Sequence, residues 1–225
     1  MDKPDLKVEK EMCRRGYQVV IGVDEVGRGA LAGPVVAGAC AIYNLQFKIY
    51  NKNSNFKLQI SNWESLGIDD SKRLSAQKRE ELSKIIRKYA MVGIGEVGVA
   101  DINKCGIVKA TQKAMRSALR QAQGKHYKKA RIFVLVDAFH VKYIPGVGLK
   151  NQKAIIKGDR KSVSIAAASI VAKVHRDKMM VKLGRKYPKY GWKQSKGYGT
   201  KKHLAAIRKY GVTRLHRLAF LPKDI

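Results

Sequence analysis

The stretch Gly22-Val23-Asp24-Glu25-Val26-Gly27-Arg28-Gly29 places two adjacent carboxylates between an apolar run and a glycine-arginine-glycine turn. Residues 17–23 are apolar and rich in β-branched side chains, and residues 34–43 form a second run rich in Val and Ala. Such runs on either side of a glycine-rich turn predict a pair of strands. The two carboxylates are then expected where the first strand ends.

Acidic residues are scarce in this chain, which makes two adjacent ones informative. The 225 residues include 47 Lys and Arg against 17 Asp and Glu, and the net charge is +30. A charge of this size attracts polyanions, and nucleic acid is a common partner of a basic protein. On charge alone, a lysine-rich composition without such a partner remains open.

The composition is typical of a cytoplasmic globular protein. Hydrophobic residues make up 45% of the chain, which is enough to build a core. No apolar run reaches the length of a membrane span, and the first ten residues lack the apolar core of a signal peptide. We therefore expect no membrane association. Three cysteines without C-x-x-C spacing predict reduced thiols rather than a disulfide framework or a zinc site.

Strands that alternate with helices predict an α/β fold. Ser75 is placed to cap a helix, and the polar stretch 44–62 is interpreted as a surface insertion. The chain divides into an N-terminal segment (1–16), a main domain (17–185) and a C-terminal region (186–225). The further predicted elements are strands at 91–99 and 131–136 and helices at 107–124, 162–183 and 201–210.

Four acids follow strands or turns in this arrangement: Asp24, Glu25, Asp137 and Asp159. Acids just beyond apolar strands lie at the edge of a sheet, where ligands of open α/β sheets gather. Oxygen ligands without a His or Cys cluster suit Mg²⁺ or Mn²⁺. The alternative is that these acids form turns or pair with basic residues. Adjacent strand residues point to opposite faces, so joint binding by Asp24 and Glu25 requires the strand to twist or break there.

Several blocks together resemble bacterial ribonuclease HII over about residues 17–220. Besides the opening stretch they are Leu31-Ala32-Gly33-Pro34-Val35-Val36, Asp69-Asp70-Ser71-Lys72-Arg73-Leu74, Lys157-Gly158-Asp159, the alanine-rich stretch 165–177 and Gly197-Tyr198-Gly199-Thr200. The resemblance implies an RNase H-like mixed sheet flanked by helices, with a small helical C-terminal region that contacts substrate. Residues 17–185 would then be the catalytic domain.

The resemblance also implies an activity. It is an endonuclease that uses two metal ions to cut the RNA strand of RNA–DNA hybrids and to cut 5′ of single ribonucleotides in duplex DNA. Acting as a monomer, it would leave a 3′-hydroxyl and a 5′-phosphate. The implied metal-binding and catalytic residues are Asp24, Glu25, Asp137 and Asp159, and the implied substrate-binding residues are Gly27, Arg28, Gly29, Lys72 and Tyr198.

Two other interpretations remain open on the sequence. One is a non-catalytic basic protein that binds structured RNA, which the ordered acids at strand ends disfavour. The other is ribonuclease HIII, a family that usually has an additional N-terminal substrate-binding domain, whereas about 16 residues precede the first predicted strand here. One departure from the ribonuclease HII pattern is Ala138, which follows Asp137 where that family more often has glycine.

Overall fold

A five-stranded mixed sheet forms the centre of the molecule in a computed structural model that describes residues 3–43, 60–124 and 130–223. The sheet order is β3-β2-β1-β4-β5. Strands β1, β2 and β3 pair antiparallel, whereas β4 and β5 continue the sheet parallel to β1. The strands are β1 (Val19–Val26), β2 (Val35–Tyr43), β3 (Met91–Val97), β4 (Ile132–Asp137) and β5 (Gln152–Ile155).

In the described ranges, six α-helices accompany the sheet. They are α1 (Lys7–Arg14), α2 (Ala76–Tyr89), α3 (Val99–Gln123, interrupted at Gly106), α4 (Val163–Lys186), α5 (Trp192–Ser195) and α6 (Lys201–Tyr210). Short 3-10 turns occur at Ile60–Leu66, Leu149–Asn151, Gly158–Arg160, Pro188–Tyr190 and Leu218–Phe220.

The predicted elements are confirmed to within a few residues. The β1–β2 pair is present, and the Ser75 hydroxyl accepts a hydrogen bond from the Lys78 amide at 3.1 Å, as expected of an N-cap. The predicted last helix coincides with α6. The helices α1 and α5, the part of α3 before Gly106 and the four-residue strand β5 were not predicted.

The predicted insertion at 44–62 lies outside the described residues as far as residue 59. The described chain resumes at the 3-10 helix Ile60–Leu66. None of the helices in the described ranges is long and apolar enough to cross a membrane. The three cysteines are free thiols, as predicted, and burial raises the pKa of Cys13 to about 11.

Helices cover both faces of the sheet and divide the core into two layers. On one face, Ile21 and Val23 of β1 and Val134 of β4 pack with Ala114 and Met115 of α3. On the other face, α4 and α2 pack over the sheet through a buried set comprising Cys40, Ile42, Leu82, Ile86, Ala166 and Ala167. Alternate residues of one strand therefore belong to different layers.

Glycines in the sheet let the helices approach closely. A Cβ atom at Gly95 of β3 would lie 1.9 Å from the Ala114 carbonyl oxygen of α3. On the opposite face, a Cβ at Gly22 of β1 would lie 2.1 Å from the Ser164 carbonyl carbon of α4. Both are contacts with helix backbone, so a larger side chain could be accommodated only by moving the whole helix.

The unpredicted helix α1 is held by a buried carboxylate. Glu9 is fully buried, and its Oε1 accepts hydrogen bonds from the Ser162 hydroxyl at 2.6 Å and the Ser164 amide at 2.9 Å. Ser162 is the N-cap of α4, so the acid lies at the positive end of that helix. Burial nevertheless raises the pKa of Glu9. The N-terminal segment thus fixes the start of the helix that runs beneath the acidic cluster described below.

Replacing Gly95 by alanine tests the close approach of α3. We expect Gly95→Ala to lower the free energy of unfolding by about 1–3 kcal/mol, because the added methyl group meets a backbone carbonyl. Urea unfolding followed by circular dichroism measures it. Gly148→Ala is the matched control, since a Cβ there has no heavy atom within 4 Å. Equal stability of the two variants would contradict the proposed packing.

Candidate active site

Parallel strand pairing brings the predicted acids to one edge of the sheet. Val23 of β1 is in register with Val136 of β4, so Asp24 and Asp137 are neighbours one residue further on. Asp137 in turn pairs with Ile155, after which the chain turns through Gly158 to Asp159. Because the carboxyl ends of three parallel strands meet there, acids that are distant in sequence become close in space.

The acids lie in or beside a cleft of about 520 Å³. It is lined by Asp24, Glu25, Gly27, Arg28, Gly29, Lys72, Asp137 and Tyr198, which are all but one of the predicted site residues, and by Ser71, Ser169 and Lys173. The remaining one, Asp159, is 5% exposed and is linked to the cleft through Lys72, whose Nζ lies 3.6 Å from Asp159 Oδ2.

Strand β1 does not break at the paired acids, one of the two ways in which the sequence analysis allowed both to reach a shared ligand. The strand remains in register with β2 through Val26, which pairs with Val36. Asp24 therefore belongs to the α4 face and Glu25 to the α3 face of a regular strand. Both side chains still reach the cleft because it lies at the end of the sheet rather than over one face.

Hydrogen bonds fix two of the carboxylates. Asp24 Oδ1 accepts from the Glu25 amide at 2.7 Å, and Asp137 Oδ1 accepts from the Gly158 amide at 2.7 Å. Glu25 Oε2 is buried and has no hydrogen-bond partner within the described part of the chain. An unpartnered buried carboxylate oxygen is costly, and a cation or donor supplied by a ligand would remove that cost.

Burial and mutual repulsion raise the pKa of three of these acids. For Asp24 burial is the main cause, followed by the negative charge of Glu25 and then the charges of Asp137 and Asp159. Burial also raises the pKa of Glu25, against the opposing effect of Arg28, and the pKa of Asp159, to which the Asp70 charge contributes. Their ionised forms are therefore destabilised, and a bound cation would stabilise them.

The donors present fit a hard divalent cation. They are carboxylate oxygens, which Mg²⁺ and Mn²⁺ prefer, and one oxygen lacks a partner. No three side chains of His, Cys, Asp or Glu in the described ranges converge enough to hold an ion together. This agrees with Asp24 and Glu25 lying on opposite strand faces. Such a site would be completed by water and by phosphate oxygens of a substrate.

Lys72 is the cation that faces this acidic cluster. Its side chain is 77% exposed and makes an ion pair with Asp159. Burial alone would lower the pKa of Lys72, but the carboxylates of Asp159 and Asp70, with Asp24 and Asp137 further away, raise it. The ammonium group therefore remains charged and mobile at the rim of the cleft, where it can bind a phosphate.

The glycine-arginine-glycine turn presents backbone amides to the cleft. Within the described residues, the N–H groups of Gly27, Arg28 and Gly29 donate to no acceptor. Gly27 has φ of 85°, which favours glycine, and a Cβ at Gly29 would have no heavy atom within 4 Å. The Arg28 side chain folds back over Glu25 (3.6 Å) and Phe139. The turn thus offers several donors to a ligand at close range.

Two buried arginines hold the carbonyl side of this loop. Arg217 donates from Nε and Nη2 to the Gly33 oxygen and from Nη1 to the Arg28 oxygen, at 2.8–3.0 Å. Arg176 donates from Nε to the Pro34 oxygen and from Nη1 to the Lys196 oxygen, both at 3.0 Å. Within the turn itself, the Arg28 carbonyl is bound by Arg217, whereas the amides have no acceptor among the described residues and remain available to a ligand in the cleft.

Burial lowers the pKa of both arginines, that of Arg217 to about 10. Neither makes an ion pair with a carboxylate in the described part of the chain. Carbonyl oxygens stabilise the two cations, together with the rings of Tyr198 beside Arg176 and Phe220 beside Arg217. Arg176 also explains Gly27, since a Cβ there would lie 1.9 Å from Arg176 Nε.

Tyr198 is held by a buried pair of histidines. Trp192 Nε1 donates to His203 Nε2 at 2.8 Å, so the His203 proton is on Nδ1, which donates to the Tyr198 carbonyl oxygen at 2.9 Å. His216 Nδ1 accepts from the Thr213 amide, so its Nε2 proton faces His203 Nε2 at 3.2 Å. These protons are assigned from the hydrogen-bond network. Both histidines are neutral in this arrangement.

Sequence reasoning missed several contributors to the cleft. Ser169 and Ser71 share a hydrogen bond of 3.0 Å between hydroxyls, and the Ser169 hydroxyl also lowers the pKa of Asp24, against the larger effect of burial. Ser169 lies in the alanine-rich stretch 165–177, and nothing in its spacing distinguishes it from the neighbouring alanines. Lys173 lies one helical turn further along the same face, a spacing that could have identified it.

Comparison with known proteins places this architecture in a class. A structure of Bst-RNase HIII in complex with Mn²⁺ matches with a TM-score of 0.69 at 20% identity, over 90% of this chain and 67% of that one. The mixed sheet with flanking helices is therefore the RNase H-like fold, as the sequence predicted.

The family follows from sequence relatives. The family model described as Ribonuclease HII matches residues 21–223. Ribonuclease HII of Clostridioides difficile is 44% identical over 214 residues, covering 95% of this chain and 74% of that protein. Ribonuclease HII of Acholeplasma laidlawii is 42% identical over 219 residues, covering 97% and 95%. The chain belongs to the ribonuclease HII family and is a metal-dependent endonuclease. The non-catalytic and ribonuclease HIII interpretations are thereby set aside.

Arg217 provides a test of the buried loop support. We expect Arg217→Lys to lower the free energy of unfolding by about 2–4 kcal/mol, because lysine cannot reach both the Gly33 and Arg28 carbonyls and leaves one unpaired. Urea unfolding measures the change. Arg214→Lys, at an exposed position, is the control. If Arg217→Lys were as stable as the control, the carbonyls would have other partners.

The histidine pair gives a pH-dependent prediction. Burial, and then the nearby His203, lowers the pKa of His216 from 6.5 to about 4, so the unfolded chain binds a proton that the folded protein does not. Stability should then fall as pH falls from about 6.5 toward 4. We expect His216→Asn, which retains an acceptor at the Nδ1 position, to remove about 2 kcal/mol of this loss.

Urea unfolding at several pH values measures the difference between the two proteins. The acids with raised pKa are present in both, so their opposite effect cancels. His140→Asn, at an exposed position, should follow the unmodified protein. Parallel stability curves for all three proteins would mean that folding does not lower the pKa of His216.

Proposed function

We propose that this protein hydrolyses the RNA strand of RNA–DNA hybrids and cuts 5′ of single ribonucleotides embedded in duplex DNA. The supporting observation is the juxtaposition of a carboxylate cluster with a turn whose amides face the same cleft, in a chain of net charge +30. Cytoplasmic and monomeric, the enzyme would make the first incision in removing ribonucleotides from DNA. The relatives named Ribonuclease HII support the same activity.

Recognition of the ribonucleotide is assigned to the Gly27-Arg28-Gly29 turn. The 2′-hydroxyl is both donor and acceptor and is what distinguishes RNA from DNA at a given position. Outward-facing amides can donate to it, and the absence of side chains at both glycines lets the sugar approach the backbone. Arg176 and Arg217 keep that surface rigid by binding its carbonyls from below.

Tyr198 is proposed to pack on the sugar of the nucleotide that follows the ribonucleotide. A 2′-hydroxyl at that sugar would clash with the ring, so the position selects deoxyribose. The ring is backed by the Arg176 guanidinium, 5.4 Å from its centroid, and the Tyr198 carbonyl is fixed by His203. The guanidinium thus backs the ring, and His203 fixes the backbone that carries it. A ring held in this way can discriminate between sugars because it cannot move aside.

The carboxylates Asp24, Glu25, Asp137 and Asp159 are proposed to hold two divalent cations, Mg²⁺ or Mn²⁺. When bound, such ions lower the pKa of an attacking water and offset the negative charge that develops on the scissile phosphate. The unpartnered Glu25 oxygen and the raised pKa of Asp24 support a cation at this place. The Mn²⁺ complex of Bst-RNase HIII supports it by analogy of fold.

The protein's own groups align the reacting bond. Lys72 is proposed to bind a phosphate oxygen at the rim, exchanging its contact with Asp159 for the substrate. A water oxygen then forms a bond to phosphorus, and the bond from phosphorus to the 3′-oxygen of the preceding nucleotide breaks. The leaving oxygen takes a proton and becomes a 3′-hydroxyl, while the ribonucleotide keeps the 5′-phosphate.

An end-labelled duplex that carries one ribonucleotide tests the proposal. We expect cleavage 5′ of that nucleotide with Mg²⁺ or Mn²⁺, none with EDTA, and a kcat lower by a factor on the order of 10³ or more in Asp24→Asn. The same substitution should leave the free energy of unfolding unchanged or raised, because it removes a buried charge next to Glu25.

Asp101→Asn is the control, since Asp101 makes an exposed ion pair with Lys113. It should cleave like the unmodified protein. Full turnover in Asp24→Asn would overturn the assignment of the acid. Cleavage of long hybrids with none at the single ribonucleotide would overturn the proposed role of the turn and of Tyr198.

A further inference from the structure

A second groove lies between α2 and the C-terminal half of α4. Its volume is about 510 Å³, similar to that of the cleft. Val174 and Val181 of α4 contribute apolar surface, and Arg79 of α2 and Lys196 lie at its edges. Nothing in the proposed chemistry uses these residues.

The groove has an excess of positive charge. Two of its basic residues are paired, Lys178 with Glu80 at 3.7 Å and Arg79 with Asp177 at 3.9 Å. Lys182 and Arg185 also line it, and neither makes an ion pair within the described ranges. Lys182 and Arg185 are exposed, so their charges are available to an anion.

The groove continues the cleft. Lys173 lines the cleft, and its Nζ lies 2.9 Å from Asp177, which lines the groove. Lys196 lies two residues before Tyr198, and its carbonyl oxygen is bound by Arg176. The acid at the junction, Asp177, is paired with both Lys173 and Arg79, so a polyanion that lies across the cleft would meet the groove at a neutralised carboxylate.

We propose that this groove binds backbone phosphates of the duplex on one side of the cut. The proposal rests on the function proposed above. Along α4, Lys178 and Arg185 lie nine and sixteen residues beyond Ser169, which is about 14 and 24 Å at about 1.5 Å per residue. A duplex that leaves the cleft along α4 would meet these cations about four to seven base pairs from the cut, at about 3.4 Å per base pair.

A nucleic-acid backbone explains the groove better than an acidic protein segment does. Lys178, Lys182 and Arg185 are spaced i, i+4, i+7, so they form a row on one side of the helix rather than a single pocket. A row of cations matches an anion that repeats its charge. The row starts at Lys178, five residues along α4 from Lys173, and Lys173 lines the cleft where a bound nucleic acid would already lie.

Binding measurements with duplexes of different arm lengths test the groove. Three duplexes each carry one ribonucleotide: one extends about twelve base pairs on each side, and in each of the other two a different arm is cut to about three base pairs. In EDTA, we expect shortening one particular arm to weaken binding to the unmodified protein, and Lys182→Gln/Arg185→Gln to lose that dependence. Its affinity for the long duplex should fall about tenfold or more at 0.1 M salt, and the slope of log K against log salt should become less steep by about two.

Two further variants make the result specific. Lys104→Gln/Lys109→Gln removes the same charge from exposed positions of α3 and should retain the dependence on arm length. Lys182→Arg/Arg185→Lys keeps both charges and should also retain it, which excludes a folding defect as the cause.

The possible failures are distinguishable. If the unmodified protein cuts no ribonucleotide-containing duplex with metal present, the proposed function fails. If it cuts but the Lys182→Gln/Arg185→Gln variant keeps the dependence on arm length to the same extent as Lys104→Gln/Lys109→Gln, the groove proposal alone is overturned, and an acidic protein segment becomes the better occupant.

Discussion

The parallel register between β1 and β4 is the constraint on which the rest of the site depends. Since Val23 lies beside Val136, Asp24 and Asp137 lie together, and neither could be moved without shifting a strand at the centre of the sheet. The arrangement opposes stability, because burial and like charge raise the pKa of Asp24. Strand pairing and the packing of α3 and α4 hold the acids in a geometry that their own repulsion disfavours. Such a site is prepared for a cation and a phosphate before either arrives.

The C-terminal region takes part in this geometry through backbone contacts. Arg217 binds the Arg28 and Gly33 carbonyls, and His216 forms a β-bridge with Ala32. The proposed sugar-contacting Tyr198 and the proposed 2′-hydroxyl-binding turn are thus fixed to one another, although 168 residues separate Arg28 from Lys196. Recognition of two successive sugars requires a fixed distance between these two surfaces. The buried arginines reinforce a direct link, since the Leu31 and Ala32 amides donate to the Gly197 carbonyl oxygen at 2.9 and 3.1 Å.

Much of the fold could be predicted because its signals are local. Apolar runs gave β1, β2 and β4, and the capping residue Ser75 gave the start of α2. Strand β5 was missed because four residues, including Gln152 and Lys153, show no apolar run, and its pairing with β4 decides its structure. Helix α1 was missed because the burial of Glu9 against α4 is a tertiary contact.

The candidate site likewise combines residues that local sequence signals reveal with residues whose roles depend on tertiary contacts. Acids at strand ends could be recognised from the sequence, since a strand end is a local feature and their meeting follows from parallel pairing. The sequence could not show that β1 continues without a break through Asp24 and Glu25, because the position of the cleft at the end of the sheet follows from the tertiary structure. Arg176 and Arg217 could not be identified as supports, since their partners are carbonyl groups, which every residue carries and no side chain reveals.

Ala138 and Gly27 both lie near the acids with a positive φ, but of these two positions only the first can carry a side chain. Ala138 has φ of 65°, a conformation that favours glycine and costs a side-chain-bearing residue about 1–2 kcal/mol. The chain must turn sharply after Asp137 so that β4 can end beside β5, and there an alanine methyl group is tolerated because Ala138 is exposed. Gly27 has a similar φ, but Arg176 fills the space where its Cβ would lie. A side chain is therefore compatible with this backbone conformation at position 138, whereas the buried Arg176 requires glycine at position 27. The turn surface that is proposed to contact a ribose depends on that glycine.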